Sequence, residues 1–108
     1  WGNECAVTGL SITTVLIASH IHPWKDATDE ERLDVGNGIL LSPNLDALFD
    51  KHLVSFEDNG NILISKLLGE EQKNVLGLDG LSLRIIYDDM IKYLYQHRKV
   101  FYEKQSLI

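Results

Sequence analysis

Two histidines, His20 and His22, precede an isolated asparagine, Asn37, and a pair of aspartates four residues apart, Asp46 and Asp50. A neutral imidazole accepts a proton from water at physiological pH, although a lone histidine is more often satisfied in a polar core than catalytic. On a helix, positions i and i+4 share a face, so Asp46 and Asp50 can approach one cation; the same spacing also describes the solvated face of an amphipathic helix. Oxygen donors completed by water favour Mg²⁺ or Mn²⁺ over zinc. The Asn37 amide offers a donor and an acceptor to backbone groups, while Gly36-Asn37-Gly38 also reads as an ordinary turn. A base and a hard cation are together what phosphodiester hydrolysis requires.

Several short elements must position these groups. The β-branched run from Val15 to Ile21, stopped by Pro23, predicts a short buried strand that delivers His20 near its end. Thr28, with Glu31 three residues on, has the form of a capping box and predicts one helical turn over Asp29 to Leu33. A second strand is expected at Gly38 to Leu41. Ser42 then caps a helix with Pro43 at its first position and Leu45, Leu48 and Phe49 on its apolar face. Further along, Leu53 to Phe56 and Ile62 to Ser65 flank Asn59-Gly60 as a hairpin. Glu70 to Leu76 forms a weak helix closed by Gly77, and Tyr87 to Lys104 a longer one whose acids come first and cations last, as the helix dipole favours.

Composition limits what surrounds the site. At 108 residues with 44% apolar content, the chain is one domain able to bury a modest core. Cys5 is its single cysteine, which excludes an internal disulfide and a four-cysteine zinc site, and reads as cytosolic usage. No apolar run reaches membrane-spanning length. The chain begins at Trp1 without an initiator methionine, from which we expect a fragment of a longer protein. A net charge of −6 forfeits general attraction to a nucleic-acid backbone. Much of that acid falls in Asp29-Glu30-Glu31, Glu70-Glu71 and Asp88-Asp89, which read as helix starts. DNA affinity is therefore expected from an upstream recognition region or from a basic face containing Lys51, Arg98 and Lys99.

The ordered set Cys5-Ala6-Val7-Thr8-Gly9, Ser19-His20-Ile21, Pro23-Trp24, Asn37-Gly38 and Phe49-Asp50, returning at Tyr93-Leu94, His97-Arg98 and Val100-Phe101, resembles the HNH endonucleases, and within them the HNH domain at the C-terminus of bacterial restriction-type enzymes. The resemblance implies an α+β fold with a ββα-metal core, here extended by a hairpin and a C-terminal helix. It implies a metal-dependent DNA endonuclease in which His20 activates water, Asn37 organises the loop, and Asp46 with Asp50 holds Mg²⁺ or Mn²⁺. Ser19 stands where many relatives carry a metal-binding Asp or His, and His22 where they commonly have Lys. His22 is left between phosphate contact, second ligand, base and spectator. Lys51, His97 and Arg98 are candidate phosphate contacts, although for the last two a cationic helix cap is an equal explanation. Thr8 replaces the second cysteine of zinc-bearing variants, so no structural zinc is expected. A symmetric double-strand cut would need two copies, a homodimer. The alternative is a catalytically idle HNH-like module that binds DNA or a partner protein, as Ser19 and the negative charge suggest.

Overall fold

The computed structural model describes residues 1–108. Strand β1, Ile17–His20, pairs antiparallel with β2, Gly38–Leu41, in a register that sets His20 opposite Gly38 and Ser19 opposite Ile39. Between them lies the single-turn helix α1, Asp29–Leu33, and a 3-10 turn at Val35–Asn37. Helix α2, Pro43–Asp50, follows β2 directly and completes a ββα unit. A second antiparallel ribbon, β3 (Val54–Phe56) and β4 (Ile62–Ile64), is succeeded by α3, Glu70–Leu76, and by the longest element, α4, Ile91–Gln105.

Local chemistry accounts for most boundaries. Thr28 caps α1 with a reciprocal box, its hydroxyl accepting from the Glu31 amide at 3.2 Å while the Glu31 carboxylate accepts from the Thr28 amide at 2.9 Å. Gly77 closes α3 at φ 65°, the left-handed geometry that glycine adopts without a Cβ penalty. Helix α2 ends in the same kind of motif without a glycine. His52 stands at φ 56°, its amide bonding to the Phe49 carbonyl and the next amide, Leu53, to that of Leu48.

Three expectations are corrected. The first strand starts at Ile17 rather than Val15, and Ile17 and Ala18 are exposed, because a two-stranded ribbon has too little cover to bury both faces. Ile21, just past its end, is the fully buried residue. Ser42 occupies the cap position of α2 but makes no side-chain cap bond; its amide donates instead to the Cys5 Sγ at 3.3 Å. The last helix is preceded by a separate 3-10 turn at Asp88–Met90, where Asp89 comes so close to Gly36 that a Cβ there would lie 2.5 Å from its carbonyl oxygen.

The core is a single cluster in which α2 contributes Leu45, Leu48 and Phe49, β2 Ile39 and Leu41, β3 Val54 and Phe56, and α4 Tyr93 and Leu94. Each such side chain contributes about 1.5–3 kcal/mol on burial. Cys5 is buried here and ties the N-terminal segment to α2, its sulfur accepting from the amides of Val7, Thr8 and Ser42. Burial opposes ionisation of this thiol, yet its hydrogen bonds with Thr8, Val7 and Ser42 outweigh that and draw it below the ordinary range. No helix is long and apolar enough to cross a membrane.

Candidate active site

A cleft of about 840 Å³ opens between the end of β1, the loop after it and the outer face of α2, lined by Ser19, His20, His22, Asp46, Asp50 and Lys51 among others. The predicted base, the two predicted metal ligands and three of the five predicted accessory residues thus share one surface. The strand–helix arrangement brings them together: β1 carries Ser19 and His20 to one wall, and the i, i+4 spacing on α2 carries Asp46 and Asp50 to the other.

His20 is held from two directions by one residue of α1. Its Nε2 lies 3.2 Å from the backbone carbonyl of Arg32, and its ring meets the Trp24 indole edge-on at 5.2 Å. The Arg32 guanidinium in turn sits 4.6 Å over that indole and donates through Nε to the Trp24 carbonyl at 2.8 Å. A carbonyl can only accept, so the Arg32 bond assigns the proton of the neutral ring to Nε2 and leaves the lone pair on Nδ1. Arg32 was not foreseen in the sequence, since nothing in its spacing marks a residue that acts through its carbonyl.

Asn37 is fully buried and uses its whole amide. Oδ1 accepts from the His22 amide at 2.7 Å, while Nδ2 donates to the carbonyls of His22 at 3.3 Å and Glu31 at 3.1 Å. The loop leaving β1 and the helical turn α1 are thereby clasped to one side chain. The simple-turn reading does not describe a residue so placed.

Ser19 donates its hydroxyl to Asp46 Oδ1. No cluster of three His, Cys, Asp or Glu side chains capable of holding a metal is formed. The cleft's carboxylates, Asp26, Asp46 and Asp50, are oxygen donors of the kind that hold a divalent cation together with water.

Two accessory candidates are corrected. His97 is buried at 2% exposure on α4, stacked at 3.7 Å on Phe49 and at 4.1 Å on His52. Its Nε2 donates to the Phe49 carbonyl at 2.8 Å, and its Nδ1 lies 2.7 Å from the Ser55 hydroxyl, which must donate to it. Burial pushes its pKa down to about 3, with His52 adding to the effect, so His97 is a neutral core residue and not a phosphate contact. Arg98 spends its guanidinium on the Phe56 carbonyl at 3.0 Å and on Asp58 at 2.8 Å, away from the cleft.

The sequence reading also missed cleft residues. Lys25, Asp26, His52 and Lys104 line it as well, Lys104 reaching in from the far end of α4. His52 is 7% exposed with no partner for Nε2, and burial, then the nearby Lys104, hold its pKa below the usual histidine value against the opposing pull of Asp50.

The family model described as HNH endonuclease matches residues 5–57, the stretch that contains β1, β2, α2 and β3. The chain carries an HNH endonuclease domain. Its α+β fold, with a ββα core followed by a further ribbon and helices, is the fold expected of that family. The family is one of nucleases acting on DNA, in general with a divalent metal. No curated protein matches the chain. The HNH match includes every residue predicted for the site except His97 and Arg98, the two that the structure removes from it.

Proposed function

We propose that the HNH domain hydrolyses DNA phosphodiester bonds, with His20 as general base and one divalent cation, Mg²⁺ or Mn²⁺, at Asp46 with help from Asp50. The observation that carries this reading is the fixed tautomer of His20: its Nε2 is engaged by the Arg32 carbonyl, so a free Nδ1 lone pair belongs to a ring in the same cleft as Asp46. A bound cation there supplies charge neutralisation at the phosphate and at the departing oxygen. His20 Nδ1 takes the proton of the attacking water, and the imidazolium so formed keeps its Nε2–H on the Arg32 carbonyl, which stabilises the added charge. Trp24 and Arg32 restrict the ring's rotation, and Asn37 maintains the loop from which Trp24 projects. Ser19 orients the Asp46 carboxylate through its hydroxyl.

Restriction of foreign DNA is the role we assign to this activity. Since the domain is acidic overall, we assign strong affinity for DNA to an upstream recognition region or to a local basic face, and symmetric double-strand cleavage to a pair of domains.

Supercoiled plasmid incubated at low salt with Mg²⁺, Mn²⁺ or EDTA tests the reading, beside His20→Ala and Asp46→Ala proteins prepared identically. Metal-dependent nicking should be lost by a factor of about 10² to 10⁴ on removing the base, and comparably without Asp46. Equal nicking by all three proteins would reveal a contaminant and sink the assignment. One observation favours a second reading: with Ser19 in place of a ligand, the cation has few protein donors. An HNH module that binds DNA without cutting it predicts retained binding and no nicking in any metal.

A further inference from the structure

The ten cations of this chain are not spread evenly in their engagements. All three arginines, together with Lys73 and Lys92, are within ion-pair distance of a carboxylate. Five lysines have no such partner, and three of these, Lys25, Lys51 and Lys104, line the cleft that holds His20 and Asp46. They come from three separate segments: the loop after β1, the end of α2 and the last turn of α4. Against them the cleft sets three aspartates, Asp26, Asp46 and Asp50, so it is formally neutral in a domain of charge −6. Two of those aspartates are the candidate cation ligands. Bound metal therefore leaves the lysines in excess, and the cleft is the place where this acidic domain can meet an anion.

The position of Lys104 needs a specific packing arrangement. Helix α4 lies against α2 through the stack His52–His97–Phe49, which aligns three rings from the two elements and the turn between α2 and β3. That seam directs the C-terminal turn of α4 toward the cleft, where Val100 and Lys104 join its lining. The helix dipole accounts for a cation in this last turn but not for the turn's place beside the active centre. Residue 104 also lies well beyond the family match at 5–57, so the matched region does not by itself supply this contribution.

We propose that Lys104, Lys51 and Lys25 form a flank that binds backbone phosphates of the DNA strand next to the scissile bond, making the C-terminal helix part of the substrate site. This rests on the nuclease reading for the identity of the strand being cut. All three side chains are exposed and carry no structural bond, so they are free to exchange counterions for phosphates.

Binding is measured by anisotropy of a fluorescent duplex in Mg²⁺ over a salt series, with each Lys→Gln change introduced into the His20→Ala protein so that the DNA stays intact. Lys66→Gln serves as control, because Lys66 is unpaired but outside the cleft. Each cleft substitution should weaken binding roughly fivefold at low salt and lower the slope of log K against log salt by about 1. The control should do neither, and melting temperatures should be unchanged. Wild-type slopes in all three variants, equal losses in the control, or no binding by the parent would overturn the proposal. Plasmid nicking by the same lysine changes in an otherwise wild-type protein is run in parallel. Nicking with unaltered slopes would leave the nuclease standing and remove the flank; altered slopes without nicking by wild type would do the reverse.

Discussion

Asn37 and His20 show how two polar side chains near one site can have opposite duties. The asparagine is valuable for being fully committed: three bonds, to the His22 amide and to the carbonyls of His22 and Glu31, exhaust what it can usefully offer there. Each is worth about 1 kcal/mol net, so Asn37→Ala should destabilise the domain by roughly 3 kcal/mol and abolish nicking. Asn37→Asp keeps the acceptor for the His22 amide but turns a carboxylate toward two carbonyls, and should be nearly as damaging. Urea unfolding checks both, and wild-type stability in the alanine variant would reduce Asn37 to a turn residue. The histidine, by contrast, is valuable for the nitrogen it leaves uncommitted. That distinction was only half legible beforehand. An amide with both donor and acceptor suggested a loop-holding role for Asn37, but the Arg32 carbonyl that sets the His20 tautomer belongs to the backbone and has no signature in residue type.

Among the elements, the end of α2 carries the most unusual local choice. Its closing motif needs a left-handed residue and uses His52 at φ 56°, where a side chain costs about 1–2 kcal/mol relative to glycine. The imidazole offsets this by stacking on His97, yet its Nε2 is buried without a partner. His52→Gly and His52→Ala both delete the ring and differ mainly in backbone strain. The glycine variant should therefore be the more stable of the two by about 1 kcal/mol, as measured by chemical denaturation. Equal stability would mean that the turn relaxes out of the left-handed region. The capping box of α1, the Pro43 start of α2 and the Gly77 stop of α3 could be read from the sequence because each is decided within a few residues. The extent and exposure of β1 could not, since they depend on how much protein covers the ribbon.

For the whole molecule, the His52–His97 seam makes folding sensitive to acid. The folded pKa of His97 is about 3, below its value of about 6.5 in an unfolded chain. Between those values the unfolded state binds a proton that the folded state refuses, so stability rises with pH. It is complete above about pH 6.5 and falls by at most about 1.4 kcal/mol per unit as pH drops toward 3. His52, also lowered, acts in the same direction. Asp34 and Glu31 lose stabilisation in acid too, but only nearer the ordinary carboxylate range. Comparing urea midpoints at pH 7 and 5 therefore isolates the histidines, and His97→Phe should flatten that interval. A wild-type midpoint unchanged between the two pH values would contradict the buried neutral assignment.

The order of strand, turn, strand and helix, the capping box of α1, and the shared helix face of Asp46 and Asp50 followed from the sequence alone, because periodicity and capping are short-range and an i, i+4 pair has one geometry; that His20 stands opposite them was implied only by the resemblance to the HNH endonucleases. Tertiary structure decided which polar residues remain available for chemistry. His97 and Arg98 looked like cationic helix-end residues; packing against Phe49 buried the first, and the Phe56 carbonyl with Asp58 occupied the second. Lys104, more than fifty residues from α2 in the chain, became a cleft residue through the same packing. Burial and pairing are relations between segments distant in sequence, and local pattern carries no record of them.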